Sequence, residues 1–195
     1  MMDQSVTVAA FMRSKRAVAI AALWGVAEAT VFFIVPDVWI WLMAAFDPRA
    51  GLRGVIVAVA GAMAGGTAIY RAGGRIDPER SAALLDRVPA ISPAMIAKVE
   101  RQMAEHGSAS MAVGPLQGTP YKIYARTAGM QRQSFPVFLL WTIPARGVRF
   151  LLIAAASALF GGFVRRRTRR SGWVVWPYAV AWMVFYWWYF RRVPG

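Results

Sequence analysis

The stretch AVAIAALWGVAEATVFFIVPDVWIWLMAAF, residues 17–46, is an apolar block interrupted only by Glu28 and the pair Pro36-Asp37. A simple membrane span takes about 20 residues and two spans with a turn about 45, so a block of this length with a proline break suits neither. A broken or re-entrant helix fits it better. Backbone that leaves helical geometry at membrane depth persists only where it is buried in protein or lines a polar cavity, so the break points to a site. The basic start (Arg13, Lys15, Arg16), the apolar run 17–26 and the small residues Ala27 and Ala29 also imitate a cleavable signal peptide. Residues before Arg13 make a long n-region for one, and cleavage would remove Glu28 or leave it at the end of the mature chain.

The rest of the composition agrees with a membrane setting. Of 195 residues 58% are hydrophobic and only 16% charged, there is no cysteine, and 23 Lys+Arg face 9 Asp+Glu for a net charge of +14. Disorder needs low hydrophobicity and a disulfide-stapled module needs cysteines, so both are excluded. The basic charge lies between apolar blocks, where cytoplasm-facing loops collect Lys and Arg against anionic lipid, and no zinc-finger or RNP-like spacing argues for nucleic acid.

Residues 54–70 (GVIVAVAGAMAGGTAIY) form an uncharged segment long enough to cross, with Gly61 and Gly65 in GxxxG spacing for close helix packing. From Arg71 to Gly107 the chain turns polar, with six Lys/Arg and five of the nine acids. Asp77-Pro78 and Ser92-Pro93 each read as an N-cap followed by proline at the first helical position, and Gly107 reads as a stop. The second of these helices is amphipathic: Ile96, Val99 and Met103 recur on one face, with Lys98, Glu100, Arg101 and Glu105 on the remaining surface. His106, the only histidine, ends it, and without neighbouring ligands no metal site is expected.

Residues 108–130 (SASMAVGPLQGTPYKIYARTAGM) are broken at Gly114-Pro115 and Gly118-Thr119-Pro120 and contain Lys122 and Arg126. They read either as a second re-entrant hairpin with inward cations or as an interfacial loop. An apolar run from Phe135 to Val164 follows, carrying Arg146 and Arg149, with Pro144 marking an expected kink. A basic loop, 165–170, leads to a last span, 173–190, whose aromatic end beside Arg191 and Arg192 suits an interfacial anchor. Positive charge assigns residues 1–16, 71–107 and 165–170 to the cytoplasm and the C-terminus to the other side. Parity then requires 108–130 to make a net crossing, in conflict with a hairpin returning to its own side.

Two broken apolar segments, one with acids and one with bases, occupy corresponding positions of the two halves, as in transporters whose central site is built from discontinuous helices. Glu28 is the sharpest residue, because a carboxylate within an apolar stretch must be protonated or paired with a cation such as Lys122, Arg126, Arg146 or Arg149. Either state serves proton coupling or headgroup recognition, while the plain alternative is a structural ion pair. Asp37 is either functional or a cap for the helix that follows. No nucleophile and base arrangement, GxSxG, Walker or HExxH pattern occurs, so neither an enzyme nor a cofactor is expected.

Glu28, Pro36-Asp37, Gly61-Ala62-x-x-Gly65 with Tyr70-Arg71 and Gly73-Gly74, an amphipathic stretch ending Glu105-His106-Gly107, Gly114-Pro115 through Pro120, and Ala128-Gly129-Met130 occur in that order. Over roughly residues 20–165 this ordered set resembles the DedA family, with its SNARE-associated or VTT membrane domain, and GTPYK at 118–122 is similar to the shorter YqaA-like branch. The resemblance implies a polytopic bacterial inner-membrane protein with two opposed re-entrant hairpins that translocates phosphate-bearing lipid, in some members with proton coupling. Glu28 matches the first-hairpin acid, and Asp37 stands where members carry an acid after the proline. Departures are Gly66, where many members have an acid, and Gly114-Pro115-Leu116, which lacks the first of two second-hairpin arginines. Lys122 lies near the second, and a lysine offers a point charge in place of a bidentate fork.

The expectation is therefore an all-α integral membrane protein: a polytopic helical bundle with two re-entrant hairpins and an amphipathic cytoplasmic segment, the membrane domain spanning 17–164. Its function would be that of a flippase or scramblase in which Glu28 and Asp37 face Lys122 and Arg126, with Arg146 and Arg149 as buried charge partners. Partners would be lipid headgroups and protons, with homo-oligomerisation open. A non-transporting membrane scaffold is the alternative.

Overall fold

In a computed structural model, residues 4–167 and 172–192 are described; they are mostly helical, without a β-strand among them. The chain runs α1 (Gln4–Met12), α2 (Lys15–Thr30), α3 (Asp37–Phe46), α4 (Pro48–Gly73), α5 (Pro78–Asp86) and α6 (Pro93–His106). Two short 3-10 turns, Gly107–Ala112 and Gly114–Gln117, precede α7 (Tyr121–Met130), α8 (Phe135–Arg167) and α9 (Gly172–Arg192). The last residues of the expected basic loop, 168–170, lie outside the described residues. Two helices, Pro48–Gly73 and the Phe135–Val164 part of α8, are long and apolar enough to cross a membrane.

The helix breaks fall where the sequence places them, at 31–36 and 113–120. Both predicted caps form: the Asp77 carboxylate accepts from the Arg80 N–H and the Ser92 hydroxyl from the Met95 N–H, each with proline next in the chain. Gly107 ends α6 with φ +62°, a left-handed geometry that a Cβ disfavours. Along α6 Ile96, Val99 and Met103 are buried as the periodicity predicts. Pro144 lies inside α8, which continues on both sides of it.

The chain divides into two compact units. The first comprises residues 1–21, 36–57 and 150–195. Here α1 arises in what the sequence presents as a basic lead-in, because Val8, Ala9 and Met12 pack with Ala17, Ala21, Met43 and Phe46. The base of the 17–46 segment folds back on itself: the Trp39 indole donates to the Ala17 carbonyl at 2.9 Å, and Arg13 pairs with Asp47 at 2.6 Å. Trp41 stacks on Tyr178 with ring centroids 3.8 Å apart, and the Tyr178 hydroxyl donates to the Val38 carbonyl.

The second unit comprises residues 22–35 and 58–149. Its core joins α6, α7 and the start of α8 through Val99, Met103, Ile123, Tyr124 and Phe138. The GxxxG face works as expected, for a Cβ at Gly61 would strike the Ala22 carbonyl oxygen and one at Gly65 would crowd Val26 and Ala29. Those two glycines let α4 lie against α2 at backbone distance.

Candidate functional site

Within the second unit the end of α2 sets the geometry. Thr30 folds its hydroxyl back onto the Val26 and Ala27 carbonyls, and the Val31 and Phe32 N–H groups both turn to the Ala27 carbonyl. The helix stops there, which leaves the carbonyls of the next residues without helical partners. Side chains take two of them: Lys122 Nζ donates to the Phe32 carbonyl at 2.9 Å and the Trp24 indole to the Ile34 carbonyl at 2.9 Å. A backbone break in apolar surroundings persists only when its polar groups are satisfied in this way.

Lys122 reaches that point because of the second break. Gly118 takes a left-handed φ of +66°, Pro120 precedes α7, and the first nine residues of α7 are all buried. Lys122 and Arg126 stand four residues apart on α7, yet they serve different partners. Arg126 donates to Ser81 Oγ at 2.9 Å and to the Pro78 carbonyl at 2.6 Å, and it forms an ion pair with Glu100. It therefore fastens α5 and α6 to α7, and Glu100 is one acid of α6 that does not simply face outward.

Glu28, near the end of α2, is paired with Arg146 of α8, and both side chains are only 5% exposed. Of the four cations the sequence offers Glu28, Arg146 is the one whose guanidinium donates to its carboxylate. The charges of Glu28 and Arg146 also both act on Lys122, so the three form one electrostatic group. Lys122 is 1% exposed, and among the described residues no carboxylate lies within ion-pair distance of it. The group thus sets one carboxylate against two buried cations.

Tyr121 and Thr142 pack beside this group and carry no signal in the sequence pattern. The Thr142 hydroxyl donates to the Phe138 carbonyl at 2.9 Å, so the Tyr121 hydroxyl, 2.9 Å away, is the donor of their pair. The Tyr121 ring lies 5.5 Å from the Arg146 guanidinium, within cation–π range. A Cβ at Gly66 would collide with the Tyr121 hydroxyl, so the tyrosine fills the space that an acid at position 66 would need.

Asp37 and Arg149 are the remaining expected site residues. Asp37 belongs to the first unit, is buried, and is the first residue of α3. The N-cap of α3 is Pro36 with no side-chain cap, so the capping role expected of Asp37 is not what the helix uses. Arg149 is half-buried one turn beyond Arg146 on α8. Among the described residues no cluster of three His, Cys, Asp or Glu could hold a metal ion. No family model, curated protein or solved structure matches the chain.

Proposed function

We propose that the chain is an integral membrane protein that moves a phosphate-bearing lipid between leaflets, with Glu28, Lys122 and Arg146 as the polar point on the path. One observation carries this reading: a buried lysine, held by a neutral carbonyl beside an already paired carboxylate, leaves the group with an excess of positive charge. A phosphate complements that excess, and it can exchange with the Phe32 carbonyl as the acceptor of the Lys122 ammonium. The resemblance to the DedA family points to the same substrate class. Support for a lipid environment comes from α8, where Leu152 and Leu159 are 65% and 77% exposed although the helix is strongly apolar. A soluble helix of that length would cover such a face.

On this reading α4, with 26 residues, is about 39 Å long at 1.5 Å per residue and crosses the bilayer. Ser108 donates to Gln133 at 2.7 Å, tying the chain before the second break to the chain after α7. The basic residues Arg13, Lys15 and Arg16 assign the start of the chain to the cytoplasmic side by the positive-inside rule.

The test is leaflet exchange in liposomes of a fluorescent polyprenyl phosphate and, separately, a labelled phospholipid, with and without a pH gradient. Wild type and Lys122→Arg exchange lipid, whereas Lys122→Gln of unchanged fold loses at least about tenfold in rate, about 1.4 kcal/mol. Gradient dependence separates a proton-coupled carrier from a scramblase. Equal rates in wild type and Lys122→Gln would remove the site from the path. Absence of exchange by well-folded wild type would favour the second reading, a scaffold, for which the closed Glu28–Arg146 pair is a purely structural element.

A further inference from the structure

A second charged site lies in the first unit. The Asp47 carboxylate accepts the Arg49 N–H at 2.8 Å and the Ala50 N–H at 3.4 Å, capping α4, and its other oxygen takes Arg13 Nε at 2.6 Å. Pro48 at the first helical position completes the cap. The one acid of this corner is therefore fully engaged. Arg13, Asp47, Pro48, Arg49, Ala50 and Arg53 line an open groove of about 580 Å³. Arg49 and Arg53, one turn apart on α4, are exposed, and among the described residues neither forms an ion pair. Lys15 and Arg16, also exposed, add to the same charge at the start of α2.

We propose that this groove binds the headgroup of an anionic glycerophospholipid of the bilayer, its phosphodiester lying between Arg49 and Arg53. Charge complementarity gives the sign of the ligand. The position gives its source, since the groove sits at the N-terminal end of a helix long and apolar enough to cross a membrane, with uncharged sequence beginning at Gly54. On a crossing helix that is the depth of the headgroups, where each basic residue gains from an anionic surface. Asp47 holds Arg13 in place and caps the helix, while guanidiniums match the oxygens of a phosphodiester by paired N–H donors. The inference rests on the membrane reading but not on lipid translocation.

The experiment follows thermal unfolding of the full chain in neutral detergent with dioctanoyl phosphatidylglycerol, dioctanoyl phosphatidylcholine or inorganic phosphate added. For wild type, phosphatidylglycerol gives a saturable rise in the midpoint, on the order of 5 °C at about tenfold excess over Kd, and the other two give none. Arg49→Gln/Arg53→Gln keeps the lipid-free midpoint and loses the rise, whereas Arg49→Lys/Arg53→Lys keeps most of it. An equal response to phosphatidylcholine, an equal response to inorganic phosphate, or a rise that persists in the glutamine variant would each overturn the proposal. Partition of the same preparation into vesicles separates the two layers of the argument. A chain that partitions and shows no selective rise overturns the groove alone; one that stays in solution overturns the membrane reading with it.

Discussion

Glu28 and Arg146, 118 positions apart in the chain, form a buried ion pair that ties the end of α2 to the middle of α8. Removing one partner of such a pair leaves the other charge buried without compensation, at a cost of about 3–5 kcal/mol, whereas replacing both by apolar groups of similar volume is often neutral. Glu28→Leu and Arg146→Leu should each lower the unfolding free energy by an amount in that range, and the double variant should recover most of it. Chemical unfolding of the four proteins in detergent measures the cycle. Simple additivity of the two losses would mean that the side chains are not coupled.

Arg126 makes three directed interactions, with Ser81, the Pro78 carbonyl and Glu100. Hydrogen bonds to charged groups contribute about 1.5–3 kcal/mol each, and a lysine cannot serve three directions set by a planar fork. Arg126→Lys should therefore lose at least about 3 kcal/mol of local stability. Faster tryptic cleavage after Arg80 and Arg87 is the expected readout, with α8 remaining protected. Unchanged cleavage would show that α5 and α6 are held by apolar packing alone.

The difference between Lys122 and Arg126 also shows where sequence reasoning stops. Helical spacing places both cations on one face of α7, and nothing in that spacing tells a ligand of the Phe32 carbonyl from an anchor of α5 and α6. Local signals were legible because they are local: the Asp77-Pro78 and Ser92-Pro93 caps, the stop at Gly107, the Ile96, Val99 and Met103 face, and both helix breaks. Partner choice is a tertiary property. The expected facing of Glu28 by Lys122 and Arg126 gives way to a pair with Arg146, while Arg126 turns to Glu100, and Tyr121 and Thr142 carry no sequence signal for their place beside the group.

Two glycines separate close packing from helix propensity. A Cβ at Gly61 would fall on the Ala22 carbonyl, while one at Gly162 on α8 meets nothing within 4 Å. Gly61→Ala should destabilise by about 1–3 kcal/mol through overpacking. Gly162→Ala should be neutral or stabilise by up to about 1 kcal/mol, because alanine restricts the unfolded chain and favours the helix. Thermal unfolding of the two variants under one condition distinguishes them, and equal effects would contradict the close approach of α4 to α2.

Asp47 supplies the pH dependence. Burial is the largest influence and raises its carboxyl, but hydrogen bonds from the Arg49 and Ala50 N–H groups and from Arg13, together with the Arg13 charge, outweigh it and hold the group below the ordinary value of 3.8. A carboxylate depressed in the folded state contributes stability that is fully present above its unfolded value and is lost as pH falls through the folded one. Wild type should therefore lose this contribution only below about pH 4. Asp47→Asn can still cap α4 but carries no charge for Arg13, so it should be less stable than wild type at pH 6, with the gap closing as pH falls toward 3. Unfolding midpoints of both proteins between pH 6 and 3 give the comparison. A gap that stays constant across that range would mean that the Asp47 charge contributes nothing and that the carboxylate acts only as a cap.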